Sequence, residues 1–204
     1  GFSAGASLQR WNDAGQIRST AVLGELGWSA NNGMAASLLL DTRSLTLKYS
    51  AIVAGQQRER QIDFDGTGIG AEISWFGDQW NVGLRYIDYA YGRSMDRVRA
   101  VLNAPDTGRF PRLQLLIDSV ATRAVGAPDR QLSASLGRQF ARASLQGDWN
   151  LQRDALSGDE FNSFSLTHGY EFSEQLQIDT TFGVSTGGYG GTSAFAGLAL
   201  TLRN

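Results

Sequence analysis

The sequence predicts an all-β protein: a single antiparallel up-and-down transmembrane β-barrel of about twelve strands, with one longer loop around 104–129. Three observations carry this. Apolar and polar residues alternate with period two along most of the 204 residues. Turn signals rich in Gly, Asp and Asn punctuate the alternation at short intervals. The composition, with 25 glycines and 3 prolines, suits tight turns better than a helical bundle.

The segments 2–12 and 16–29 come first and are noisy; Leu23 falls on the wrong face. Two strands are expected next, over 33–41 and 44–60. In the second, Leu45, Leu47, Tyr49 and Ala51 alternate with Thr46, Lys48 and Ser50. After Asp65-Gly66, the 66–76 segment sets Thr67, Ile69, Ala71, Ile73 and Trp75 against Gly68, Gly70, Glu72 and Ser74. Over 79–91, Trp80, Val82, Leu84 and Tyr86 oppose Asn81, Gly83 and Arg85. A strand over 94–103 places Arg97 and Arg99 on the polar face.

Past 130–138 the pattern is clearest. Within 140–153, Ala141, Ala143, Leu145, Gly147, Trp149 and Leu151 alternate with Arg142, Ser144, Gln146, Asp148 and Asn150. The segments 158–172, 175–187 and 192–203 repeat it. Spacers of two or three residues between several runs imply hairpins.

The 104–129 stretch differs. Leu113, Leu116, Ile117, Val120 and Val125 lie near helical spacing, while Leu113, Leu115 and Ile117 also fit a strand. Single-chain bacterial barrels have even strand numbers. Treating 104–129 as one extracellular loop leaves about twelve strands, with fourteen as the fallback. Folded inward, the loop would bring Arg109, Arg112, Asp118 and Arg123 to a constriction; the alternative is an external loop.

The face chemistry argues for a membrane. The polar face is rich in Gly, Ser, Thr, Asn and Gln, which suits a hydrated lumen rather than a packed core. Aromatic residues flank the turns: Trp28, Trp75, Phe76, Trp80, Trp149, Tyr170 and Phe172 form a candidate membrane-interface girdle. The competing explanation is the general preference of aromatics for strands. No run of about 18 apolar residues exists, so no membrane-crossing helix is expected. The mean hydropathy of −0.23 fits a barrel with a polar lumen, though a soluble β-barrel or sandwich that binds a ligand also alternates. The opening Gly1-Phe2-Ser3 reads as a mature product without a signal peptide. The whole chain, 1–204, is expected to be one barrel domain.

The repeated alternation, the terminal segment 194–202 and the aromatic turn flanks together resemble the general class of Gram-negative outer-membrane barrels. The chain departs from that class at its end, Leu202-Arg203-Asn204, where an aromatic residue is usual. The resemblance implies an integral protein of the outer membrane, in contact with its lipid. In size the chain is similar both to small porins for acidic sugars and to barrel ends of secretion proteins. The expected function is a channel for small polar or charged solutes. The alternative is the barrel of an exporter of polysaccharide or polypeptide whose periplasmic part lies outside this chain.

Under the channel reading, the lumen wall carries Lys48, Glu72, Arg85, Arg97, Arg99, Arg142, Asp148, Glu171, Asp179 and Arg203. Arg85, Arg97 and Arg99 form one wall, with Glu171 and Asp179 across from them. Opposed walls would set up a transverse field. The alternative is an ion-pair network that plugs a small barrel.

Other chemistry is disfavoured. Cysteine is absent and His168 is the sole histidine, so no metal site or cofactor is expected. A net charge of −2 argues against nucleic acid. No catalytic residue is assigned, because alternation puts Ser165 and Glu171 on the face opposite His168. A lipid-facing His–Ser dyad of an outer-membrane lipid hydrolase is the enzymatic alternative. The 63–67 segment lacks the later ligands of a calcium loop, and no helix follows the glycines at 66, 68 and 70 to bind phosphate.

Overall fold

The computed structural model describes residues 1–13, 17–53, 56–93, 95–96, 127–155, 158–173, 175–187 and 191–202. They form the expected all-β meander. Ten strands follow one another: β1 (Phe2–Asp13), β2 (Ile17–Ser29), β3 (Met34–Val53), β4 (Gln56–Phe76), β5 (Trp80–Tyr91), β6 (Pro128–Gln139), β7 (Ala143–Asp154), β8 (Glu160–Ser173), β9 (Leu176–Gly187) and β10 (Thr192–Leu202). They pair in sequence order in a single sheet, every pair antiparallel. The short connections at 30–33, 77–79 and 140–142, and the link from β8 to β9, share one end with Gly1, here the turn end. The opposite, loop end carries the 92–127 connection.

Among the described residues the strand number is ten rather than the expected twelve, for two reasons. The segments 33–41, 44–60 and 66–76 are two long strands, β3 and β4, joined at 54–55. Asp41-Thr42-Arg43 and Asp65-Gly66, which read as breaks, lie inside an unbroken register from Met34↔Trp75 to Val53↔Gln56. Cross-strand pairing overrides turn propensity there. The expected 94–103 strand begins helically instead, at Arg93, Met95 and Asp96, and 97–103 lies outside the described residues. The loop residues 104–126 lie outside them too.

Register determines what shares a face. One row of Cα partners runs Phe2, Trp28, Ala36, Ile73, Leu84, Ala134, Trp149, Phe164, Val184, Ala194. It crosses all ten strands and is wholly apolar. The neighbouring row, on the other face, runs Ser3, Gly27, Ser37, Glu72, Arg85, Ser133, Asn150, Ser163, Ser185, Ser193. It holds small polar residues and a single acid–base pair.

Burial runs opposite to a soluble sheet. On β5 the apolar Val82, Leu84 and Tyr86 are exposed, Leu84 at 51%, whereas Asn81, Gly83 and Arg85 are half-buried. A flat sheet would expose both faces alike, so the polar face is the concave one.

The concave face is not polar throughout. Leu39, Ile87 and Tyr89 are buried on it, with Leu23 and Tyr91 packed against them. This explains why Leu23 breaks the alternation of β2: it belongs to an interior apolar cluster. Ile87 is fully buried (0%). Three glycines of β4 make room. Gly66, Gly68 and Gly70 pair with Tyr91, Tyr89 and Ile87, and the tyrosine rings lie across the first two. Tyr89 and Tyr91 stack at 6.5 Å, and Phe64 meets Tyr91 edge-on at 6.4 Å.

A side chain at Gly68 would collide with this arrangement. A Cβ there would lie 2.6 Å from Tyr89 Cε1 and 2.9 Å from Ile87 Cγ2. Gly68→Val should therefore cost about 1–3 kcal/mol in a urea unfolding series, the usual range for overpacking. Gly197→Ala, where nothing lies within 4 Å, should stay within about 0.5 kcal/mol of the parent. Equal effects of the two changes would contradict the glycine bed.

Candidate functional site

The concave face gathers the chemistry. Its centre is the row just described, where Glu72 on β4 lies opposite Arg85 on β5. Their side chains approach to 4.0 Å and are more than a third exposed, a loose pair open to the interior. Around them the register supplies Ser and Asn, then Gln131↔Gln152 on one side and Ser135↔Asp148↔Ser165 on the other. Thr167 and Thr181 hydroxyls meet at 3.0 Å, and Ser185 and Ser193 at 2.7 Å.

Toward the loop end a tighter network crosses β3, β5, β6 and β7. Asp41 Oδ2 accepts from Arg43 Nη2 (2.8 Å), Arg43 Nε (3.0 Å) and the Tyr89 hydroxyl (2.7 Å). Arg43 Nη2 also donates to Tyr89 Oη at 3.2 Å, and its guanidinium lies 5.1 Å from that ring's centre. Tyr89 Oη reaches Gln131 Oε1 at 3.1 Å, and Gln131 Nε2 donates to Gln152 Oε1 at 3.1 Å. Asp41 and Arg43 are nearly enclosed, so their charges act as one neutral unit. At the turn end, Gln139, Arg142, Ser144, Gly169, Glu171 and Gln177 line a pocket of about 190 Å³.

Several expected wall residues occupy this face. Glu72 and Arg85 are directly paired. Asp148 accepts from Gln146 Nε2 at 3.0 Å, and Asp179 from Gln177 Nε2 at 2.8 Å. Glu171 lies on β8 at the turn end. Two placements correct the sequence reading. Lys48 is exposed and shares the parity of outward-facing Leu38 and Leu40, because Leu45 is buried inside and inverts the expected faces of β3. Arg142 lies in the β6–β7 turn rather than in a strand; its carbonyl accepts from Glu171 N at 2.8 Å. Arg97, Arg99, Arg109, Arg112, Asp118, Arg123 and Arg203 lie outside the described residues. The expected basic wall is therefore described only at Arg85.

The aromatic residues divide. Trp28, Trp75, Trp80, Tyr170 and Phe172 are exposed at the turn end, Tyr170 and Phe172 packing edge-on at 4.8 Å. Trp80 carries Arg138 over its ring at 4.8 Å. Phe76 has the parity of the concave face, opposite Asn81. Trp149 stands in mid-strand and donates to Asn162 Oδ1 at 2.6 Å. Near the loop end the outer surface turns charged, where Asp88, Arg130, Arg153 and Glu160 share one row. Arg130–Asp88 and Arg153–Asp129 approach to 3.8 Å.

His168 faces outward in register with Leu145 and Thr180, on the side opposite Ser165 and Glu171. Among the described residues, no three His, Cys, Asp or Glu side chains converge to hold a metal ion.

Sequence reasoning missed Asp41, Arg43 and Tyr89. The signal existed, since Asp41 and Arg43 are two residues apart and so share one face of a strand. Placing a break between 41 and 44 hid it.

No protein-family model and no curated protein sequence matches the chain. One solved structure matches, "KdgM porin in complex with disordered oligogalacturonate", at 9% identity and a TM-score of 0.35, covering 100% of this chain and 99% of that one.

The enclosed Asp41–Arg43 pair yields a stability prediction. Arg43→Met strands a buried carboxylate and should cost about 3–5 kcal/mol, read from urea unfolding by tryptophan fluorescence. Adding Asp41→Leu to Arg43→Met should recover most of that loss. A double variant as unstable as the single one would show that packing, not the uncompensated charge, dominates.

Proposed function

We propose that the chain spans an outer membrane as a closed barrel and acts as a diffusion channel for small polar solutes. The observation that carries this reading is the inverted sheet. A wholly apolar outward row lies beside an inward row of Ser, Gly, Asn and one ion pair, both ten strands wide. Water would not select this arrangement, whereas lipid outside and a hydrated lumen inside would.

Closure follows from the same setting. Among the described residues β1 and β10 each have one strand neighbour. Unpaired backbone groups cannot face hydrocarbon without a cost of several kcal/mol each. β1 and β10 run in opposite directions, as an even meander requires for an antiparallel seam. Their outward sets, Ala4, Ala6 and Leu8 against Ala196, Leu198 and Leu200, have matching apolar character.

The limits of the apolar band fit as well. Arg138 over Trp80 would mark the turn-end interface, and the Asp88–Arg130–Arg153–Glu160 row the loop-end interface. β3 and β4, with 20 and 21 residues, are about twice the length a tilted spanning strand needs. Their distal halves, carrying Lys48, Gln61 and Asp63, would project beyond the membrane on the loop side. The β6 to β10 half of the wall, polar apart from Phe161, Phe195 and small apolar residues, would line the path.

Purified protein reconstituted in a planar bilayer should give discrete conductance steps, and it should migrate in gels in a heat-modifiable way. Heat-modifiable protein without any conductance would keep the barrel and remove the channel. Protein that stays in solution without detergent would remove both.

A further inference from the structure

The charges on the described concave face do not cancel. Asp41–Arg43 and Glu72–Arg85 are each neutral as pairs. Glu171 lines the turn-end pocket together with Arg142, and Asp154 is fully buried at the end of β7. Three further carboxylates on this face are Glu25 on β2, Asp148 on β7 and Asp179 on β9. Each accepts from a neutral donor. Ser37 Oγ donates to Glu25 at 2.6 Å, Gln146 Nε2 to Asp148 at 3.0 Å, and Gln177 Nε2 to Asp179 at 2.8 Å. Such neutral donors orient a carboxylate but bring no opposite charge to it. Asp148 and Asp179 are surrounded on this face by Ser, Thr, Asn, Gln, Gly and Ala, and Glu25 lies in register between Gly5 and Leu39 with Leu23 beside it; none of these neighbours adds net charge.

The three carboxylates come from well-separated strands, so their field reaches the interior from several sides. The Debye length at physiological ionic strength, about 8 Å, is comparable with the half-width of a small barrel. Low-dielectric walls confine the field lines to the water path. Rings of Asp and Glu select cations by this mechanism.

We propose that the pore is cation-selective, with Glu25, Asp148 and Asp179 as the residues that set its preference for small cationic or zwitterionic solutes over anions. This rests on the channel reading above. Of the opposed walls that the sequence suggested, Arg85, Glu171 and Asp179 lie among the described residues, and Arg97 and Arg99 lie outside them.

The test is the reversal potential of the reconstituted protein across a potassium chloride gradient. Potassium should be preferred over chloride at about 0.1 M salt, and the preference should fade toward 1 M as the Debye length shrinks to about 3 Å. The triple variant Glu25→Gln, Asp148→Asn and Asp179→Asn should bring the permeability ratio close to one while conductance persists. Each single variant should move it part of the way, which guards against a triple variant that does not assemble. A wild-type pore that prefers chloride or neither ion overturns the proposal, as do variants that keep the wild-type ratio. Complete absence of conductance in the wild type would instead remove the channel reading itself.

Discussion

Every backbone N–H and C=O in a sheet interior needs a partner on the next strand, and meeting that need fixes the register. In this chain the register continues from β1 to β10 with shifts only at 128–130 and 171–173, both near strand ends. A slip of one residue anywhere between would send a strand's apolar set to the concave face and its serines outward. The two faces, the interior cluster and the position of every wall charge all depend on that unbroken pairing. It also explains how Gly66, Gly68 and Asp65 sit inside a strand. Local turn preferences are worth a fraction of what a 20-residue ladder with β3 contributes.

The interior has two unequal halves. On the β2 to β5 side, Leu23, Leu39, Phe64, Ile87 and the rings of Tyr89 and Tyr91 fill space over a bed of glycines. The buried Asp41–Arg43 pair is locked to this mass through the Tyr89 hydroxyl. On the β6 to β10 side the wall is mostly short hydroxyl and amide side chains with the carboxylates of Asp148, Glu171 and Asp179, and its aromatic residues among the described ones are Phe161 and Phe195, the latter with its ring over Gly183. The aromatic packing is concentrated on the β2 to β5 side, and the polar side chains that the channel proposal requires are concentrated on the other.

Much of this was legible beforehand, and the failures are instructive. Period two identified the strands and sorted Leu84 from Arg85 and Leu166 from Ser165, because those residues follow the simple rule of apolar outside and polar inside. The rule failed where the concave face is itself apolar. Leu23 looked like noise, Leu45 was assigned outward, and Lys48 was assigned to the wall. Alternation measures a difference between two faces; when both carry apolar residues it loses its sign. Asp41 and Arg43 were hidden by a strand break placed between them, and Asp65-Gly66 was read as a turn, because turn-prone residues inside a strand betray nothing until the partner strand is known.

The sequence by itself determined the class of fold, the direction of the two faces over most of the chain, and the absence of thiol chemistry. These depend on side-chain type and on a spacing of two, both readable along one strand. Tertiary structure alone decided the joining of three expected segments into β3 and β4, the stacking of Tyr89 and Tyr91 on the β4 glycines, the direct pairing of Glu72 with Arg85, and the neutral partners of Glu25, Asp148 and Asp179. Each is a relation between residues on different strands. Register sets such relations, and register is a property of the whole sheet.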